Sequence, residues 1–289
     1  MPDCGPHSAT DGGDRHAIPT EKTMTEVVNS ESERRFAFGR NWRRFLPSVD
    51  ATAVRDSSLA LQEMLERQRL DGLTFLDIGS GSGLSSLVAF QLGARVTSFD
   101  FDSDSVACTK ELRDKHDPDG KEWSVRQASI LDAGIVAELG TFDIVYSWGV
   151  LHHTGHMYRA IDHAAQMVRP GGQLFIAIYN DQGWVSRYWT RVKRLWVHWP
   201  VLRPLIFLFH APYLVGLRWL VRAATGRLRL ERGMRLSYDT VDWLGGYPFE
   251  VARPELLVEM ARKRGMRLLK MRTCGGRHGC NELVFQRDR

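Results

Sequence analysis

The chain has 289 residues, of which 43% are hydrophobic and 25% are charged, and this composition excludes a fibrous or largely disordered protein. The net charge of +5 is uneven, because residues 184–235 carry eleven Arg or Lys and one acid. The longest uncharged apolar run, 204–217, has fourteen residues, whereas a membrane-spanning helix needs about 20. No apolar signal segment begins the chain, so we expect a cytoplasmic protein.

The N-terminal part of the chain divides into two segments. Residues 1–33 are polar and rich in turn-forming residues, which predicts a disordered tail. Residues 34–70 combine aromatic residues with a helical periodicity. We expect this second segment to form a helical lid, in which Phe38, Trp42 and Phe45 cover a ligand site.

From residue 71 onward, apolar strands alternate with amphipathic helices. The predicted strands cover residues 73–78, 95–99, 123–127, 142–147, 173–179, 266–272 and 281–286. Repeated strand–helix units predict an α/β fold with a Rossmann-like, seven-stranded, mostly parallel sheet, whose last strand is antiparallel because a short turn precedes it. The core is expected over 71–180, a helical cap insertion after strand five over 181–248, and the end of the core over 249–289.

The turn between the first two strands is rich in glycine. Gly79, Gly81 and Gly83 alternate in it, which lets the backbone approach a bulky ligand closely. The spacing G-x-G-x-x-G of dinucleotide-binding folds and the Gly-Lys-Ser/Thr of a Walker loop are both absent. Asp77 suits a cationic or amine-bearing group, and Asp100, at the tip of the second strand, is placed to accept both ribose hydroxyls. The pattern predicts a nucleoside site.

Five motifs, in order along the chain, resemble those of class I S-adenosylmethionine-dependent methyltransferases. They are Leu76–Gly83, Phe99–Asp102, Phe142–Ser147, Val150–His153 and Arg169–Leu174. The sequence is most similar to the small-molecule branch that includes the ubiquinone-biosynthesis O-methyltransferases. The resemblance implies S-adenosyl-L-methionine as the cofactor. The cofactor-binding residues that follow from the motifs and the resemblance are Asp77, Gly79, Gly81, Asp100, Phe101, Ile130, Asp132 and Ser147.

Two histidines follow the fourth strand, at the carboxyl edge where open α/β sheets bind ligands. His153, at the more usual family position, or His152 could take a proton from a hydroxyl acceptor, unless both only hold the start of a helix. The residues expected to contact the acceptor are Tyr179, Asn180, Asp242, Trp243 and Tyr247. No metal site is predicted, because Cys274, His278 and Cys280 supply too few ligands for structural zinc.

The insertion mixes tryptophan with arginine. This composition predicts a cap over an apolar acceptor pocket, and the alternatives are peripheral contact with an acidic membrane through 184–235 or an RNA-binding patch. We therefore predict an S-adenosylmethionine-dependent methyltransferase that acts on a small aromatic or lipophilic acceptor, most simply at oxygen. The alternative functions are methylation of RNA or of nitrogen, and a non-catalytic module that keeps the fold for binding.

Overall fold

The computed structural model describes these parts of the chain: residue 39, residues 42–43, residues 50–217 and residues 243–289. All of them belong to a unit formed by residues 35–289. The predicted tail 1–33, the lid residues Phe38 and Phe45, and the acceptor residue Asp242 lie outside the described residues.

Seven strands form one sheet. They are β1 Thr74–Ile78, β2 Arg95–Asp100, β3 Trp123–Gln127, β4 Phe142–Trp148, β5 Val168–Tyr179, β6 Met266–Arg272 and β7 Cys280–Arg287. Their order across the sheet is β3-β2-β1-β4-β5-β7-β6. Strands β1 to β5 are parallel, and β7 is antiparallel to both β5 and β6. The predicted fold class is confirmed. Strand order reverses between β1 and β4, and such a switch point opens a crevice at the carboxyl ends of the strands.

Eight α-helices are described around the sheet. They are α1 Ala51–Leu65, α2 Leu84–Gln91, α3 Ser103–His116, α4 Ala133–Leu139, α5 Met157–Gln166, α6 Trp184–His198, α7 Arg203–Ala211 and α8 Pro254–Lys263. Local sequence fixes three of the starts, because the carboxylates of Asp50, Asp102 and Asp132 accept hydrogen bonds from backbone N–H groups in the first turns of α1, α3 and α4.

Apolar side chains cover both faces of the sheet, and β1 shows how the sequence directs them. Leu76 and Ile78 point to the face that is packed by α5 and α8, whereas Phe75 points to the opposite face, packed by α1 and α2. Because both faces are covered, a parallel central strand is apolar along its length. Asp77 is the exception in β1, which directs attention to its carboxyl group.

Strand β5 begins at Val168, earlier than its sequence predicts. Val168 already pairs with Phe142, and the register shifts before regular pairing resumes. Gly171 has a φ of +78°, and a Cβ on Gly172 would lie 2.8 Å from the Asp143 carbonyl oxygen. The Pro-Gly-Gly sequence that predicts a turn therefore forms a bulge within the strand, where glycine admits the close backbone approach.

Helices α6 and α7 form much of the described part of the insertion. The inner face of α6 buries Trp189 and Trp196 in a third apolar cluster together with Leu244 and Phe249. Tyr179, the last residue of β5, packs against this cluster. The insertion is thus attached to the sheet at its carboxyl edge. None of the described helices has both the length and the apolar character that crossing a bilayer requires.

The different burial of the edge strand β6 and its neighbour β7 predicts unequal effects of one substitution. Leu283 in β7 is fully buried, whereas Leu269 in β6 is 39% exposed. Leu283→Ala should lower the free energy of unfolding by roughly 2–5 kcal/mol, because it removes buried methyl groups and leaves a cavity. Leu269→Ala is the matched control and should cost well under about 1 kcal/mol. Urea denaturation measures the free energy of unfolding of both variants. Equal losses of stability would contradict the burial of Leu283 in β7, between β5 and β6.

Candidate active site

A cavity of about 1210 Å³ opens at the carboxyl ends of β1, β2, β4 and β5. Its lining brings together these residues predicted from the sequence: Asp77, Gly79, Gly81, Asp100, Phe101, Ile130, His153, Tyr179, Trp243 and Tyr247. Four further predicted residues that the structure describes are not in the lining, namely Asp132, Ser147, His152 and Asn180. The cavity is therefore continuous from the predicted cofactor residues to the predicted acceptor residues.

The glycine turn gives the cavity a wall of bare backbone. Gly79 and Gly81 have φ values of +77° and +56°, which side-chain-bearing residues rarely adopt. A Cβ on Gly79 would lie 2.4 Å from a Val150 methyl carbon. A Cβ on Gly81 would lie 3.1 Å from the indole ring of Trp42, which is the described member of the three predicted lid aromatics. Space and backbone conformation both require glycine here.

Asp100 ends β2 beside this turn. One carboxylate oxygen accepts a hydrogen bond from the Gly81 N–H at 2.9 Å, and the other accepts one from the Asp102 N–H at 2.9 Å. Burial raises the pKa of Asp100 to about 6, because a carboxylate loses hydration in the cavity wall. The two bonds fix the carboxyl group at the mouth of the glycine turn.

Asp77 is more deeply buried and belongs to a polar chain that crosses the core. The Ser86 hydroxyl donates to its carboxylate at 2.5 Å, Ser86 and Ser98 hydroxyls lie 2.7 Å apart, and the Trp123 indole N–H donates to Ser98 at 2.9 Å. Burial raises the pKa of Asp77 to about 7. Asp77 is only 2% exposed and its carboxylate already has an internal donor, so the expectation that it faces a cationic or amine-bearing group stays a prediction.

The predicted residues after β3 and in β4 occupy different environments. Ile130 is buried in the cavity wall, and Phe101 is exposed at its rim. The Asp132 carboxylate instead accepts from the Gly134 N–H at 2.8 Å and begins α4. The Ser147 hydroxyl donates to the Ile78 carbonyl at 3.0 Å and joins β4 to β1. The hydrogen bonds of Asp132 and Ser147 are therefore to the protein backbone, at the start of α4 and at the end of β1.

The histidine pair lies in a short 3-10 turn, Leu151–His153, after β4. His153 Nδ1 is 2.6 Å from the Pro248 carbonyl oxygen. A carbonyl only accepts, so Nδ1 carries the proton and the lone pair of the ring lies on Nε2. Burial lowers the pKa of His153 to about 3. Burial also lowers the pKa of His152, with a smaller contribution from the charge of Lys193. Both rings are neutral at physiological pH.

His152 lies behind the residues that line the cavity and does not line it itself. Its ring centroid lies 4.0 Å from that of Tyr179 and 4.5 Å from that of His153. Its Nδ1 is 3.4 Å from the Tyr179 N–H, and its buried Nε2 has no hydrogen-bond partner within the described residues. His152 therefore positions the side chains of Tyr179 and His153.

The end of the cavity that contains the predicted acceptor residues is aromatic. Tyr179 and Trp243 meet edge to face with ring centroids 5.5 Å apart, and Tyr247 completes the wall. The buried indole N–H of Trp243 has no hydrogen-bond partner in the part of the chain that the structure describes. Asn180 lies beside the cavity, where its amide oxygen accepts from Asn281 at 3.0 Å.

Lys193 is a buried cation that the sequence pattern does not distinguish from the other basic residues of the insertion. Its side chain is fully buried. Its ammonium group donates to the Trp243 carbonyl oxygen and lies 4.2 and 4.7 Å from the ring centroids of Trp243 and Phe249. Aromatic faces and a carbonyl thus replace the water around this cation. The signal in the sequence is a lysine at the helical spacing of Trp189 and Trp196, on an otherwise apolar face.

The sequence does not predict that the segment between β6 and β7 reaches the cavity. The loop residues Gly276, Arg277, His278 and Gly279 and the first residue of β7, Cys280, belong to the wall. This loop reaches the cavity because β7 lies next to β5, so the end of the hairpin meets the carboxyl edge of the parallel strands. Within the described residues no three His, Cys, Asp or Glu side chains gather to hold a metal ion.

Comparison with known proteins identifies the family. Residues 50–224 match the model of a family described as a methyltransferase domain, which covers more than half of the chain. The chain belongs to this methyltransferase family. Members of its class use S-adenosylmethionine as the methyl donor, which confirms the predicted cofactor. The resemblance on which the prediction depended is therefore correct.

The individual relatives match only part of the chain. A ubiquinone biosynthesis O-methyltransferase of Rhizobium leguminosarum bv. trifolii is 28% identical over 173 residues, which are 56% of this chain and 66% of that protein. The chain spans about two thirds of the length of the curated relatives that it matches.

Two solved structures share the fold. Magnesium protoporphyrin IX methyltransferase of Synechocystis PCC 6803 has a TM-score of 0.51 at 14% identity, covering 86% of this chain and 94% of that chain. The cyclase SpnF has a TM-score of 0.50 at 14% identity, covering 81% and 80%. Because one of the two is a cyclase, the fold alone does not select the reaction.

The burial of Asp77 predicts a pH dependence of stability in this methyltransferase. The folded-state pKa of about 7 exceeds the ordinary value of 3.8, so the folded protein holds this proton more tightly. The resulting stabilisation is present below about pH 4 and is lost as the pH rises to about 7, by roughly 1 kcal/mol per pH unit.

Asp77→Asn removes this titration and can still accept a hydrogen bond from Ser86. The variant should therefore gain stability relative to the unmodified protein as the pH rises from about 4 to 7. Urea denaturation at several pH values measures the difference in the free energy of unfolding. A difference that stays constant over this range would contradict the raised pKa of Asp77.

Proposed function

We propose that this methyltransferase transfers a methyl group from S-adenosylmethionine to a hydroxyl oxygen of a small aromatic or lipophilic acceptor. The observation that carries the proposal is one continuous cavity with two chemically distinct ends. The glycine turn and Asp100 form one end, and the aromatic side chains of Tyr179, Trp243 and Tyr247 form the other. His153 lines the same cavity.

The first end fits the donor. The bare backbone at Gly79 and Gly81 leaves room for an extended chain of the size of a methionine, which a Cβ on Gly79 would remove by pushing against Val150. The Asp100 carboxylate is held at the turn, where it can accept from vicinal hydroxyls, and Phe101 supplies an apolar rim. When bound, S-adenosylmethionine supplies a methyl group on a positively charged sulfur.

The second end suits a planar, apolar acceptor that carries an oxygen. Tyr179, Trp243 and Tyr247 provide ring faces and edges, and Val185 and Leu214 add aliphatic surface. The buried indole N–H of Trp243 has no partner in the described structure, and a buried donor without a partner is costly. An acceptor oxygen placed against it would remove that cost and orient the ring.

His153 is placed to receive the acceptor proton. The bond to Pro248 puts the lone pair on Nε2, and the low pKa of about 3 makes His153 a weak base. A weak base does not remove a proton from a resting hydroxyl, but the hydroxyl becomes strongly acidic as its oxygen acquires a methyl group. We infer that His153 Nε2 first accepts a hydrogen bond from the hydroxyl and takes the proton as the transfer proceeds.

Lys193 and His152 hold this arrangement in place. Lys193 binds the Trp243 carbonyl and packs on its ring, so it connects α6 to the acceptor wall. His152 packs on Tyr179 and His153. A substrate that enters this aromatic space loses part of its contact with water, and methyl transfer between aligned groups needs positioning more than it needs acid–base groups.

Binding of S-adenosylhomocysteine tests the donor site without any knowledge of the acceptor. Asp100→Asn should weaken binding by at least about tenfold, because the charged hydrogen-bond acceptor is lost. Asp132→Asn is the matched control and should bind normally, since Asp132 begins α4 outside the cavity. Isothermal titration calorimetry measures all three proteins. If the unmodified protein fails to bind up to millimolar concentration, the enzymatic function is wrong and a non-catalytic module is favoured.

The same titration has an expected pH dependence. The ionised form of Asp100 accepts from hydroxyl groups, and its pKa of about 6 lies above the ordinary value. The affinity for S-adenosylhomocysteine should therefore fall as the pH is lowered through about 6. Asp100→Asn should flatten this part of the profile.

The role of His153 is tested once a phenol with an apolar tail has been found to support turnover. His153→Ala should lower the rate at saturating cofactor by about 10²–10⁴-fold, while His116→Ala, at the exposed end of α3, should leave it unchanged. Formation of S-adenosylhomocysteine measures turnover. An unchanged rate for His153→Ala, or a loss limited to cofactor affinity, would contradict the proposed role in proton transfer.

A further inference from the structure

The outer side of α6, α7 and the turn between them exposes a large apolar surface. Its five defining side chains are Trp184 at 72%, Trp199 at 60%, Leu205 at 65%, Leu208 at 73% and Phe209 at 77% exposure. Contiguous exposed patches of large apolar residues mark interaction sites on soluble proteins. We call this set the outer apolar face.

Arginines accompany the outer apolar face. Arg187, Arg191 and Arg194 are exposed and lie at spacings of four and three residues on α6, so they share one side of the helix. The sequence has no acid between Asp181 and Glu231. The surface therefore joins exposed cations to exposed apolar and tryptophan side chains, with no nearby carboxylate in the sequence to neutralise them.

We propose that the outer apolar face binds the surface of an anionic phospholipid bilayer. Leu205, Leu208 and Phe209 of α7 would enter the boundary between headgroups and acyl chains. Trp184 and Trp199 would lie at the headgroup level, where the amphipathic indole ring is favoured. The three arginines of α6 contact lipid phosphates. Helix α7 has nine residues, so it lies in the interface and does not cross it.

The mixture of residues favours a bilayer over RNA. Single-stranded RNA is held by aromatic rings on which bases stack, and leucine side chains offer no such ring. On α7 the exposed apolar residues are two leucines and two phenylalanines, without an arginine between residues 204 and 211. The arginines of α6 match the polar headgroup layer of a lipid surface, and the apolar side chains of α7 match the acyl-chain layer.

The two helices present this face as one preformed unit. The Tyr188 hydroxyl and His210 Nε2 lie 2.7 Å apart, and His210 Nδ1 lies 2.7 Å from the Ile206 carbonyl. The opposite side of α6 packs against the acceptor wall through Trp189 and Lys193. If the proposed function is correct, a lipophilic acceptor has a short path from the bilayer to the cavity. The binding of lipid itself does not depend on that function.

Cosedimentation with vesicles tests the proposal. The protein is mixed with vesicles of phosphatidylcholine alone or with about one third phosphatidylglycerol, an anionic lipid. The bound fraction should be larger on the anionic vesicles and should fall as salt is added. Leu208→Glu and Phe209→Glu should each lower the partition coefficient at least about tenfold, since a charge at this depth opposes insertion. Leu59→Glu, on the exposed side of α1, is the matched control and should have no effect.

Three further measurements on the same variants distinguish lipid binding from misfolding and from self-association. Binding of S-adenosylhomocysteine and the melting temperature should be the same in Leu208→Glu as in the unmodified protein, because the fold and the donor site stay intact. Equal binding to both vesicle types would overturn the proposal. The proposal would also be overturned if Leu208→Glu bound lipid as the unmodified protein does but had a lower melting temperature. In that case Leu208 would contribute to the folded chain itself and not to lipid binding. A dimer in light scattering that Leu208→Glu dissociates would assign the face to a second copy instead.

Discussion

The close contact between Gly79 and Val150 is the constraint on which the site depends. Val150 stands just before the histidine turn, and its methyl groups occupy the space that a side chain at position 79 would need. The glycine turn after β1 and the turn after β4 that carries His153 therefore pack directly against each other. Their separation is set by β1 and β4, which are neighbours in the sheet. Chemistry between two ligands needs this fixed spacing, because small errors of alignment slow a displacement steeply.

A second constraint is the burial of Lys193. Removing an ammonium group from water is expensive, and here a carbonyl and two aromatic rings compensate for the lost hydration. These partners come from residues 243–249, whereas Lys193 comes from α6. Lys193 thus holds α6 and residues 243–249 together beside Trp243, which belongs to the proposed acceptor wall. The charge also helps to keep His152 and His153 unprotonated, so the structural cation and the proposed proton acceptor are electrostatically linked.

The fold could be predicted closely because its signals are local. The strand positions, apart from the start of β5, and the glycine turn are determined by short stretches of sequence. The predicted donor residues Gly79, Gly81 and Asp100 come from two motifs, and they meet because β1 and β2 are neighbouring parallel strands. The acceptor end depends on contacts between distant segments. The contact of Lys193 with Trp243 joins residues that are far apart in the sequence, so the helical spacing of Lys193 does not predict it. The bulge in β5 looks like a turn until its pairing partner Phe142 is known.

The position of β7 has a consequence for biosynthesis. Strand β5 is bonded to β4 on one side and to β7 on the other, and β6 is paired through β7. During synthesis, before residues 280–287 have emerged from the ribosome, one edge of β5 has no partner strand. Its free N–H and C=O groups can then pair with a strand of another nascent chain. The loop residues 276–279, which line one wall of the cavity, directly precede β7. The sheet and one wall of the cavity therefore become complete together, and a chain that lacks β7 would leave the edge of β5 open to aggregation.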